Sequence, residues 1–80
     1  MLVKKSRDGN DYEVINAIIC TNDTHDNGNK MLGYTYGKLY YEVKTGYTTR
    51  RFLDDDADLR ILYESFFRNA TLLEKELYSD

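Results

Sequence analysis

The 80-residue chain contains no proline, no tryptophan, one cysteine and one histidine. Without proline it has no rigid kink and no stiff linker, so nothing marks a hinge between two units, and residues 1–80 are expected to form a single domain. A lone cysteine cannot close an intramolecular disulfide. Cys20 lies in Ala17-Ile18-Ile19-Cys20 with no cation beside it to favour a thiolate, which reads as a buried, unreactive thiol. One cysteine and one histidine are too few for a zinc site. No glycine-rich phosphate loop, nucleophile elbow or Cys/His pairing occurs, and neither an enzymatic activity nor a cofactor is expected. No apolar run approaches the roughly 18 residues of a membrane helix. The start, Met1-Leu2-Val3-Lys4-Lys5, turns charged before any signal-peptide core develops, so a cytoplasmic protein that avoids membranes is expected.

Charge is present but unevenly spread. Residues 1–53 carry eight Lys/Arg against six Asp/Glu, and residues 54–80 carry three against eight, so the acid is concentrated in the last third. A domain that grips phosphates normally shows a clear basic excess. Here only Lys4, Lys5, Arg7, Arg50 and Arg51 could form a local patch.

Periodicity divides the chain in two. Residues 2–5 and 12–20, separated by Asp8-Gly9-Asn10-Asp11, read as strand, turn and strand, because Asp-Gly supplies the positive φ of a tight turn. The near-continuous apolar run 17–20 predicts a central strand buried on both faces. Residues 21–30 are polar and rich in side chains that bond their own backbone, which predicts an exposed loop. Asp23, His25 and Asp26 in that loop have ligand chemistry but not the spacing of a calcium loop, and are read as turn residues. Residues 31–36, 38–43 and 47–53 have strand composition, with Gly37 at a bend. The turn at Thr45-Gly46 allows two registers: a two-residue turn setting Val43 opposite Thr48, or a three-residue loop with Gly46 as a bulge. From Asp54 onward Leu59, Leu62, Phe66, Ala70, Leu73 and Leu77 recur at three- and four-residue steps, predicting an amphipathic helix capped by the aspartates. Thr71-Leu72-Leu73-Glu74 fits a capping box, so a break near Asn69 is the alternative. The fold class expected is α+β: an antiparallel sheet of about four to five strands against a C-terminal helix.

Two features exceed what such a fold needs. Eight tyrosines are present, and Tyr34, Tyr36, Tyr40, Tyr41 and Tyr47 crowd one hairpin region. Neighbouring strand residues point to opposite faces, so these rings cannot all be core, and exposed phenols suit binding surfaces. The run Asp54, Asp55, Asp56 and Asp58 holds more carboxylates than one cap requires, and closely spaced carboxylates can imitate phosphates in a basic groove.

In composition and architecture the chain resembles small bacteriophage accessory proteins, including anti-CRISPR inhibitors of host defence. Gly33-Tyr34, Leu39-Tyr40-Tyr41 and the stretch from Gly46-Tyr47 to Phe52 also resemble the KTSC family of small, presumed RNA-binding domains, without that family's Val-Pro step and following Ser-Gly. The first resemblance implies a non-enzymatic inhibitor or modulator of a host nucleic-acid-handling protein with a basic surface. Tyr34, Tyr36, Tyr40, Tyr47, Asp54, Asp55, Asp56 and Asp58 are then the expected partner contacts. The alternative is a small RNA or single-stranded-DNA binder, its tyrosines stacking on bases while Lys4, Lys5, Arg50 and Arg51 hold phosphates. A structural homodimer is the third possibility.

Overall fold

The computed structural model describes residues 2–25 and 27–77. Among these, six strands, one α-helix and one 3₁₀ turn (Glu64–Phe66) occur: β1 (Val3–Lys5), β2 (Asp11–Cys20), β3 (Leu39–Val43), β4 (Arg51–Leu53), β5 (Leu59–Arg60), β6 (Phe67–Asn69) and α1 (Leu72–Leu77). All pairings are antiparallel, in the order β1-β2-β3-β4-β5 with β6 also on β2. The α+β class follows. β2 is the centre: β3 occupies one edge, while β1 and β6 share the other at Asp11–Glu13 and Ile18–Cys20. That explains why Ala17, Ile18, Ile19 and Cys20 are all buried.

Alternation sorts the interior into two layers. Ile18, Cys20, Tyr40 and Phe52 lie on one face, covered by Tyr34, Leu62 and Phe66. Ala17, Ile19 and Leu39 lie on the other, with Tyr41 and Ala70 against them. Cys20 is fully buried, burial pushes its thiol up, and Sγ donates to the Asn22 carbonyl.

The sheet curls. β2 pairs Val14 with Val43 but Asn16 with Glu42, leaving Ile15 as a bulge, and a bulge bends its strand. The β1–β2 hairpin reaches loop 54–58, where the Arg7 N–H donates to the Ala57 carbonyl at 2.9 Å. Both loops are built alike. In each, three residues are closed by a flanking pair, Ser6 with Asn10 and Asp54 with Asp58, and the third adopts a left-handed φ: Gly9 at 92° and Ala57 at 61°.

Three sequence expectations are corrected. Residues 31–36 form turns rather than a strand. The β3–β4 connection is a seven-residue loop, 44–50, with Val43 opposite Arg51, so neither tight register at Thr45-Gly46 forms. The helix does not begin near Asp54. Asp54 Oδ1 accepts the Asp56 and Asp58 N–H groups, as a helix N-cap would, but Ala57 then turns left-handed and Leu59 pairs back onto Leu53. Spacing of three and four residues was compatible with a helix, yet the tertiary pairing of Leu59 with Leu53 and of Phe67–Asn69 with β2 prevails.

The helix starts instead at Leu72, where the capping box is realised in both directions. The Glu74 N–H donates to Thr71 Oγ1 at 3.2 Å, and Glu74 Oε1 accepts the Thr71 N–H at 2.9 Å. Arg68 grips both Glu74 oxygens at 2.7 Å, and with the Thr71 amide holds this carboxyl down at about 2. α1 buries none of its side chains. The polar loop behaves as turn chemistry predicts: Asn22 and Asn27 each accept the N–H two residues on. Asp26 lies outside the described residues.

Candidate binding surface

The strand ends gather the singled-out residues into two poles. At one pole β4 turns into loop 54–58, and the turn 35–38 enters β3. Gly37 has φ 80° and the Lys38 N–H donates to the Thr35 carbonyl, so Tyr36 stands at the tip of a tight turn, 65% exposed. Asp55 holds that turn from beneath. Its carboxylate accepts Thr35 Oγ1 at 2.9 Å and both Lys38 Nζ and the Tyr40 hydroxyl at 2.7 Å. Burial works against the Asp55 charge, but these three donors overcome it and keep the carboxyl below the usual carboxylate range. Asp56, beside it, is exposed.

The remaining aspartates are structural. Asp54 is buried, receives the two loop amides on Oδ1, and faces Arg60 Nε across 3.4 Å through Oδ2. Asp58 meets Arg7 at 3.4 Å. The carboxylate oxygens of Asp54, Asp56 and Asp58 lie within 4.8 Å of one another. Loop closure accounts for the arrangement, since two of the three carboxylates already face an arginine. Three of the four aspartates read as a phosphate-like cluster thus spend charge on internal cations, Asp55 on Lys38, Asp54 on Arg60 and Asp58 on Arg7.

Tyr34 and Tyr40 are withdrawn from the surface. They are 6% and 3% exposed and pack edge to face, ring centres 4.9 Å apart. Burial raises both phenols, Tyr40 to about 12. Residues 31–36 are folded back over the sheet instead of continuing it, which places Tyr34 inward.

Tyr47 stands at the opposite pole, 60% exposed in loop 44–50, with the Arg51 guanidinium 4.1 Å from its ring centre. Arg50 is engaged by Glu42 at 2.8 and 3.1 Å. Lys4 and Lys5 are elsewhere. Lys4 sits over the Tyr41 ring and Lys5 faces Asp11 at 3.3 Å, both beside a cleft shared with Lys38 and Ala57. The four basic residues expected to act together are therefore divided between two places.

The sequence reading missed a third feature. Between residues 30–34 and 60–63 runs a cleft of about 330 Å³. Leu32, Ile61 and Tyr63 are exposed along it, whereas Leu62 is buried. The out-in-out pattern of Ile61-Leu62-Tyr63 was the available signal, and the helical assignment of that stretch hid it.

No protein-family model, curated protein or solved structure matches the chain. Among the described residues no helix is long and apolar enough to cross a membrane.

Proposed function

We propose that the protein is a cytoplasmic, non-enzymatic binding protein that modulates a nucleic-acid-handling protein by covering a basic part of its surface. The carrying observation is the Asp55 clamp, which fastens loop 54–58, with exposed Asp56 in it, to the turn that carries exposed Tyr36 at its tip. An aromatic held in place before contact loses little entropy on binding, and a neighbouring charge orients the encounter. Affinity resides mainly in Tyr36, with Asp56 supplying salt-sensitive attraction. Affinity capture with the intact protein, repeated with Tyr36→Ala and Asp56→Asn, tests it. A basic partner should be retained by the wild type, lost with Tyr36→Ala, and released at lower salt from Asp56→Asn. A partner held equally by all three refutes it.

A second reading draws on the Tyr47–Arg51 stack, whose ring and cation suit a base and a phosphate of single-stranded nucleic acid. Gel-shift titration with single-stranded RNA and DNA at low salt addresses it. Tyr47→Ala should abolish any shift if that pole binds.

A further inference from the structure

The face of the sheet that carries Ala17, Ile19 and Leu39 lacks a second layer. Only Tyr41 and Ala70 pack against it, whereas an apolar sheet face is ordinarily buried under another element. Along that face opens a cleft of about 300 Å³, whose lining includes Leu2, Ile15, Ala17, Leu39, Tyr41 and Lys75. Leu2 and Ile15 are half exposed in it.

α1 stands beside this cleft and is turned the wrong way to close it. Arg68 grips Glu74 at 2.7 Å and Lys75 lines the cleft, so positions 74 and 75 face the rest of the chain. At about 100° per residue, Leu72, Leu73 and Leu77 fall on the opposite arc, and all three are two-thirds to three-quarters exposed. An amphipathic helix on a monomer normally shows the reverse arrangement. Six residues that bury no side chain have no helical stability of their own beyond the Thr71 cap and the Arg68 grip. One molecule thus carries an outward leucine face and, next to it, an uncovered apolar cleft, and the Arg68–Glu74 grip keeps the first from folding into the second.

A second copy satisfies both halves at once. In a twofold pair the same patch of each subunit meets the other, so α1 of each copy can lie across the cleft of the other. Area agrees with this occupant. The exposed parts of Leu2, Ile15, Leu72, Leu73 and Leu77 come to roughly 500–600 Å² per copy, and two such patches reach roughly the 1,200 Å² at which specific interfaces begin. Charge agrees as well. Glu76 lies between Leu72 and Leu73 on the outward arc, and Lys75 at the cleft has no ion pair among the described residues, so each copy offers a cation where the carboxylate of the other arrives.

We propose that the protein associates as a twofold homodimer in which the leucine face of α1 in each copy covers the cleft of the other. The surface shares no residue with the Tyr36 and Asp56 reading and stands whether or not that reading holds.

Sedimentation of the full chain over a series from about 1 µM to about 1 mM tests it, because an interface at the lower end of the size range gives weak association. A reversible monomer–dimer equilibrium is expected, with amide exchange at residues 72–77 slowing as the dimer fraction rises. Leu73→Lys on the helix and Ile15→Lys in the cleft, both at exposed positions, should each weaken association at least about tenfold. Tyr63→Lys, at an exposed position outside this surface, should leave it unchanged. Circular dichroism of each variant verifies that the fold is kept. A chain that stays monomeric throughout, a dimer indifferent to both Leu73→Lys and Ile15→Lys, or one weakened as much by Tyr63→Lys would overturn the proposal. So would a monomer that captures a different protein through Leu73, since the face would then belong to that protein.

Discussion

Gly33 offers a sharp test of the packing around loop 54–58. It has φ 87°, and a Cβ built there would lie 2.9 Å from Asp54 Oδ2 and 3.3 Å from Arg60 Nη1. Gly37 has nearly the same backbone, φ 80°, but its Cβ would meet nothing within 4 Å. The pair therefore separates backbone strain from collision. Gly37→Ala should cost about 1 kcal/mol, the left-handed penalty of an ordinary residue partly offset by a less flexible unfolded chain. Gly33→Ala bears the same penalty and must also displace a buried carboxylate that holds two loop amides and an arginine. The added cost of disturbing such a group brings the total to about 3 kcal/mol. For a domain of this size that is a large share of a total stability of roughly 4–12 kcal/mol. Urea unfolding followed by circular dichroism reads the difference, with an unchanged denaturant slope showing that the unfolded state is not responsible. Equal losses in the two variants would mean that the Asp54 carboxylate does not pack on Gly33, and the description of the loop would fail.

Other outcomes follow from the same contacts. Asp55→Ala should lower stability by about 1–2 kcal/mol, since it strips partners from Thr35, Lys38 and the buried Tyr40 hydroxyl. Because the folded Asp55 carboxyl is held low, its contribution is present above the unfolded value near 4 and disappears as pH falls through the folded one. Acid titration of wild type against Asp55→Ala should show that difference vanish. Tyr40 has the opposite sign: its phenol is raised to about 12, so its contribution is full below pH 10 and is lost as pH rises from 10 through 12. Alkaline unfolding monitored by phenolate absorbance should show Tyr40→Phe losing less stability than wild type across that window. Thr71→Ala removes the acceptor for the Glu74 N–H and should cost about 1 kcal/mol of α1 stability, visible as faster amide exchange at residues 72–77.

Much of the fold could be read where local and tertiary preferences coincide. The run from Ala17 to Cys20 is apolar at every position because β2 is covered on both faces, and such a run requires no knowledge of its partners. The turn at Asp8-Gly9 and the capping box at Thr71 and Glu74 are set by backbone chemistry within a few residues; the turn formed as expected, and the box formed as the alternative to one continuous helix. Residues 54–69 failed because two periods fit the same letters. Leu59, Leu62 and Phe66 satisfy a helical spacing, but Leu59 pairs with Leu53, Leu62 reaches the core from an extended segment, and Phe66 sits in a 3₁₀ turn. The left-handed Ala57 turns the chain back so that Leu59 meets Leu53, and alanine gives no hint of that conformation.

The candidate surface was half legible for a related reason. Composition alone correctly implied that the hairpin region held more tyrosine rings than the interior could cover, since Tyr36 and Tyr47 remain outside. Which rings those are depends on where the chain leaves the sheet. Had residues 31–36 paired as a strand, alternation would have put Tyr34 and Tyr36 on one face; as turns they diverge, one into the core and the other to a tip. The aspartates follow the same logic, because a carboxylate surplus on the page becomes a surface charge only after internal cations have taken their share. Arg7 and Lys38 stand 51 and 17 residues from their partners Asp58 and Asp55, distances over which local pattern carries no information. Asp56 is the one aspartate of the four with no cation set against it here, so an acidic epitope at that pole must act through its carboxylate together with the Tyr36 ring. Tyr36→Ala and Asp56→Asn, rather than the buried Asp54, are accordingly the substitutions that decide whether it binds.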